Sequence, residues 1–371
     1  MGWNSIDKKG HSTNSTIGNN VFAQENHFGS DYWVSNKRPV SPESAFIYPI
    51  SDWSDPYSYV NSSISNVFYW INLLHDILYT YGFDEPAGNF QNKNFLRGGK
   101  GFDAIIADVQ DGSGDSNASF MSPPDGQHGR MRLFLWSKNR PARDGGLESC
   151  IIVHEYVHGL TSRLTGGPSN ADCLSFGEAG GMGEGWGDFF SILLRINGST
   201  PRDASFGIGE YSNGETSSNI KGIRTHPYGM NSKLSCSFID SITYSSIRKE
   251  MRGIHAIGEV WAQTLYDVYW SLIEDCQFTA HNPFWDDGKK SQPKGPNDIM
   301  LGLLIEGMKL QPCWPTFVDA RDAILAAEKL RYKQLFRCSL WRGFASRGLG
   351  IKALPGGKEC FLLPEDCTWN I

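Results

Sequence analysis

The sequence predicts an α+β chain of two lobes, a strand-rich lobe followed by a mainly helical one. Three observations carry this reading. Up to about residue 146 the chain is rich in Gly, Ser, Asn and Asp, and short runs such as GFDAIIADVQ and RMRLFLW read as strands. From about residue 147 apolar residues recur at helical spacing in one segment after another. The change falls at the segment IIVHEYVHGL, so the lobes are drawn as residues 1–160, ending in that helix, and 161–371.

One helix interrupts the strand-rich part. NVFYWINLLHDILYTYGF has its apolar residues at helical spacing and Gly82 near its end. In the second part LESCIIVHEYVHGLTSRL is apolar at Ile151, Ile152, Val157 and Leu160. GMGEGWGDFFSILLRI, IHAIGEVWAQTLYDVYWSLIEDC, NDIMLGLLIEGMKL, PTFVDARDAILAAEKL and CSLWRGFASRGLG follow as further helices. Between two of them CQFTAHNPFWDDGKKSQPKGPND is polar and rich in Gly and Pro, which predicts a surface loop. There are no internal repeats.

The composition excludes several classes. With 371 residues, 40% of them hydrophobic, the chain can bury a sizeable core, and its 20% of charged residues argues against disorder. The formal net charge is -6 and the pI about 5.9, with no basic block to neutralise phosphates, so no nucleic-acid partner is expected. No apolar run approaches the roughly 18 residues that cross a bilayer, and none is expected to. The N-terminus lacks the apolar stretch of a signal peptide, and Ile6 breaks the myristoylation pattern.

The eight cysteines include no CxxC pair, and Asn14, Asn61, Asn117 and Asn197 head Asn-x-Ser/Thr sequons. Together with few charges and many aromatics, these point to a secreted protein with its leader removed. Cys313 with Cys338, and Cys360 with Cys367, are the disulfides to test first. DVQDGSGDSN is acidic but lacks EF-hand spacing, so no calcium site is predicted.

The chemistry concentrates in HEYVH. On a helix, residues four apart share a face, so His154 and His158 can aim their imidazoles at one ion while Glu155 is turned away. Zinc suits such ligands. The plain alternative is a core helix with two satisfied histidines, and the third ligand decides between them. A HExxHxxGxxH pattern is excluded because Thr161 and Leu164 stand where Gly and His are needed. The next helix offers Glu184 and Asp188, again four apart. Glu184 can complete a His2Glu site with one position left open, and Asp188 can accept the ring N–H of a ligand histidine. Unpaired charge is costly in so apolar a turn. Gly181, Gly183, Gly185 and Gly187 would weaken this helix unless another element approaches it closely.

HEYVHG, then LTGGPSNADCL, then GGMGEGWGDFF, resembles the fungalysin family of secreted fungal zinc metallopeptidases, which are thermolysin-like enzymes of the gluzincin group. GNNVFAQE, FYWINLLHDILYTYGFDEPAGNFQ, NASFMSPPDGQHGRMRLFLW, HAIGEVWA and the stretch from PCWPTFVDARDAI to FASRGLG look like the same family. Residues 24–58 and the last twenty are the least familiar. The resemblance implies a thermolysin-like fold with the active-site cleft between the lobes. It also implies a mature catalytic domain whose precursor carries a signal peptide and an inhibitory propeptide.

Residue by residue, the resemblance implies one zinc ion held by His154, His158 and Glu184, with Glu155 as general base on a zinc-bound water. His255, just before a helix, matches the histidine that donates to the oxyanion. Arg224 in GIRTHPYGMN looks like the arginine facing a substrate carbonyl. Asn117 and Ala118 resemble the edge-strand pair that binds substrate backbone, so Asn117 is expected to carry no glycan. Relatives use a tyrosine that has no counterpart between His158 and Glu184, leaving Tyr228 as the candidate. His75 and Asp76 lie on an apolar helix and are read as core.

The expected activity is cleavage of internal peptide bonds in extracellular proteins by a monomer. The rivals are a gluzincin aminopeptidase, whose GxMEN segment is missing here, and an inactive binding module of the same fold, which would have lost the base or a ligand.

Overall fold

The structure, a computed structural model, describes residues 2–7, 9–50, 54–214, 221–229, 242–249, 251–275 and 295–368. The chain divides into two compact units, Met1–Arg163 with Ile208–Ile223, and Leu164–Gly207 with Arg224–Ile371.

The first unit holds the strands. In chain order these are β1 (Val21–Glu25), then helix α1 (Val60–Thr80), then β2 (Ile105–Val109), β3 (Ala118–Met121) and β4 (Arg130–Leu133). They form a sheet in the order β1-β2-β4-β3, parallel across the first three and antiparallel for β3 at the edge. GFDAIIADVQ does become a strand, β2, but all five of its residues are buried, as a central strand covered on both faces requires. Its one charge, Asp108, accepts hydrogen bonds from Gln24 of β1 at 2.8 Å and from Arg130 of β4 at 2.7 Å. RMRLFLW splits into β4 and a short strand β5 (Leu135–Trp136), which pairs with β6 (Arg143–Asp144).

Helix α1 buries Val67, Ile71, Leu74 and Leu78 and ends before Gly82, whose φ of 107° lies in the left-handed region. On the same helix His75 is buried, 3.0 Å from Asp76 and 2.9 Å from Gln91. It is a satisfied core histidine. Helix α2 (Ser149–Leu164) follows.

The second unit is helical: α3 (Gly177–Leu193), the short α4 (Ser246–Lys249), α5 (Ile254–Asp275), α6 (Pro296–Leu310), α7 (Phe317–Tyr332) and α8 (Arg337–Ser346). The glycines of α3 are explained by α5. A Cβ on Gly181 would come within 2.2 Å of Ile257, and one on Gly185 within 2.6 Å of the Gly258 carbonyl oxygen. The helices therefore pack almost backbone to backbone, with Trp186 and Trp261 edge to face at 5.2 Å. Of the expected polar loop, residues 276–294 lie outside the described residues, and its last part opens α6 with Pro296 in the first turn. No described helix is long and apolar enough to cross a membrane.

The suggested disulfides are corrected. Cys173 bonds Cys313, and Cys338 bonds Cys367. Neighbours in sequence are separated here by rigid structure. Cys313 precedes α7 and Cys338 follows it, and a helix of 16 residues is about 24 Å long, far beyond the span of a disulfide. Cys360 is held instead by backbone bonds to Gly348 and Gly350. Cys150 is buried with its Sγ 3.0 Å from Glu148.

Candidate active site

Helix α2 positions His154, Glu155 and His158. The two imidazoles meet edge to face with centroids 4.6 Å apart, as residues four apart on one helix face should. His154 and Glu155 are buried, and His158 is half-buried. The helix is locked from behind. A side chain at Gly159 would strike the Phe90 ring, its Cβ only 2.6 Å away. At the helix end Arg163 is fully buried over the face of Phe90. It donates to Asp103 at 3.0 Å and to the carbonyls of Gly88 and Pro123 at 2.8 Å and of Gln127 at 3.1 Å. So many bonds from one guanidinium leave α2 little freedom to shift or rotate.

Helix α3 positions Glu184 and Asp188. Glu184 is buried, and its Cβ would be 2.6 Å from any Cβ on Gly258. One ligand atom from each of His154, His158 and Glu184 lies within 4.8 Å of the others. Two imidazoles and one carboxylate are a donor set that fits a divalent metal such as zinc. Glu184 is a buried carboxylate rather than a solvated surface charge, with Arg224 at 4.0 Å and His255 at 3.4 Å.

Asp188 accepts from Nε and one Nη of Arg224 at 2.7 and 2.8 Å, and from the Tyr228 hydroxyl at 2.5 Å. The same Arg224 Nη is 4.0 Å from Glu184. Burial disfavours the Arg224 charge, but Asp188, Tyr228 and Glu184 outweigh it and hold the guanidinium above its usual pKa. Burial first, and Asp188 second, push the Tyr228 phenol well up, which keeps it a donor. His255 stands in the first turn of α5 with Nε2 3.4 Å from Glu184, and over half of its side chain is exposed.

One participant escaped the reading of the sequence. Glu259 accepts from the Thr225 backbone N–H at 3.1 Å and from the Thr225 hydroxyl, so it fixes the residue next to Arg224. Its spacing of four from His255 in HAIGEVWA was the available signal. Ala118 opens the edge strand β3, and Asn117 before it is exposed, its carbonyl accepting from Phe134 N at 3.3 Å.

The fold and this donor set define a thermolysin-like metalloproteinase architecture. The precursor of protealysin, a metalloproteinase from Serratia proteamaculans, superposes with a TM-score of 0.54 over 92% of this chain and 91% of that one, at 13% identity. The fungalysin metallopeptidase family model matches residues 1–353, and the chain belongs to that family. It is 45% identical to Extracellular metalloproteinase 2 of Arthroderma otae, over 95% of this chain and 54% of the relative. It is 44% identical to Extracellular metalloproteinase 3 of Trichophyton soudanense, over 95% of this chain and 86% of the relative. The chain thus spans about half the length of the first of these relatives.

Proposed function

We propose that this chain is the catalytic part of a secreted zinc endopeptidase that cleaves internal peptide bonds of extracellular proteins. The observation that carries the reading is the cluster of His154, His158 and Glu184, with Glu155 next to the first histidine on the same helix. The relatives' designation as extracellular supports secretion. The likeness to a protease precursor supports a propeptide that masks the site before processing. We take the active unit to be a monomer.

His154, His158 and Glu184 hold the ion, which when bound supplies Lewis acidity at the scissile carbonyl. Glu155 takes a proton from the attacking water and passes it to the leaving amine. His255 donates to the oxyanion as charge develops there. Arg224, oriented by Asp188 and Glu259, supports the same charge or an adjacent substrate carbonyl. A carboxylate has about four acceptor positions, so Asp188 also has capacity for the ring N–H of a ligand histidine. Ala118, with Asn117, offers the unpaired side of an edge strand to an extended substrate backbone.

Two variants test the assignment. Glu184→Ala leaves two protein ligands and should lose most of the metal. Glu155→Gln keeps the shape and the ligands but cannot take a proton. It should bind zinc normally and lose nearly all peptidase activity. Metal analysis beside a peptide-cleavage assay reads both. A zinc-loaded Glu155→Gln protein cutting at the wild-type rate would falsify the mechanism.

A further inference from the structure

Phe176 and Trp314 form an aromatic pair on the surface of the second unit, with ring centroids 4.3 Å apart. Phe176 is 65% exposed and Trp314 44%, an unusual exposure for two large rings in contact. Both are held in place. Trp314 follows Cys313, whose disulfide partner Cys173 lies three residues before Phe176, and the Trp314 backbone N–H donates to the Cys173 carbonyl at 3.2 Å. Its φ of 59° is a conformation bulky residues rarely adopt, and Pro315 follows directly. On the other side, the Phe176 carbonyl accepts the Gly180 N–H at 3.0 Å and so starts α3.

The pair stands at the start of the helix that carries Glu184. Phe176 is the extended residue just before α3, and Gly180 and Glu184 follow it at intervals of four. Ile254, itself 36% exposed, lies over Gly180, its Cγ2 3.0 Å from where a Cβ would stand. His255 next to it reaches Glu184 at 3.4 Å. Exposed apolar side chains thus stand at the start of both α3 and α5, the two helices that carry Glu184 and His255. Counted from the residue before the helix, eight positions separate the Phe176 and Glu184 backbones by about 12 Å along the axis, the length of about three to four residues of extended peptide.

We infer that Phe176 and Trp314 form a rigid subsite that binds a large apolar side chain of the substrate, about three to four residues from the bond that is cut. This rests on the peptidase reading above. Two preset rings give a substrate ring or a leucine a stacked or edge-on partner at little ordering cost.

The test uses fluorogenic peptides with one fixed cleavable core and a single Phe moved through the flanking positions on both sides, each compared with its Ala counterpart. The wild type should favour Phe about tenfold or more in kcat/KM at one position three or four residues from the scissile bond. In the Phe176→Ala, Trp314→Ala double variant that ratio should fall close to one, and Trp314→Phe should restore much of it. Binding of the same peptides to Glu155→Gln protein, followed by fluorescence anisotropy, reads the subsite without catalysis. Selective binding without cleavage in the wild type would sink the peptidase reading but keep the subsite. A Phe preference that survives the double variant overturns the inference. So does a concentration-dependent dimer that the double variant abolishes, which would give the rings to a second copy.

Discussion

At the scale of single residues, the site is a set of charges that must be neutralised by one another or by an ion. Asp188 and Arg224 are both buried, and each is the other's principal partner. Removing one leaves an uncompensated charge, so Asp188→Ala should destabilise the fold by about 3–5 kcal/mol, read from the denaturant midpoint. Asp188→Asn, which keeps an acceptor and the volume, should cost less. His255 differs because it is largely exposed and bears little on stability. His255→Ala should lower kcat by about 10²–10³ with metal content unchanged. Near-normal kcat in that variant would remove His255 from the mechanism.

At the scale of elements, the close packing of α3 on α5 decides where Glu184 points. A Cβ at Gly258 would stand 2.6 Å from the Glu184 Cβ and 2.9 Å from the backbone of Gly181 and Gly185. Backbone cannot yield as a flexible side-chain end can, so Gly258→Ala must push the two helices apart. It should destabilise by about 1–3 kcal/mol. It should also weaken metal binding measurably although every ligand remains, which competition with a chelator would detect. Unchanged metal affinity would show that α3 holds Glu184 without help from α5. Gly183→Ala is the matched control, because its nearest neighbour, the Leu174 Cβ, is at an ordinary 3.7 Å.

At the scale of the molecule, two disulfides close loops of very different length, with sequence separations of 140 and 29. In the chain-entropy account they are worth about 5 and roughly 3.6 kcal/mol, so losing Cys173–Cys313 should cost the more. Thermal or denaturant unfolding of the two Cys→Ser pairs, Cys173 with Cys313 and Cys338 with Cys367, checks the order. Metal adds a separate contribution. A ligand bound only by the folded state raises its stability by mass action, so a chelator should lower the Tm of the wild type. Glu184→Ala protein should barely respond to the chelator. Equal responses from both proteins would mean that the stabilising ion is bound elsewhere.

Although the meeting of Glu184 with His154 and His158 is set by packing, four-residue spacing on a helix fixes which side chains share a face wherever the helix goes. His154 with His158, and Glu184 with Asp188, were legible for that reason, as were the strand at Ile105–Val109 and the glycines that demanded a close neighbour. What that neighbour is, and how partners pair across the chain, comes from the packed fold. Closeness in sequence could not reveal that a rigid helix keeps Cys313 from Cys338. Nor could the sequence show that Asp188 is gripped by Arg224 and Tyr228, 36 and 40 residues further on. Helical periodicity is a local property of the backbone. Charge pairing, disulfide choice and the contact of Phe176 with Trp314 depend on which distant segments share space, and only packing sets that.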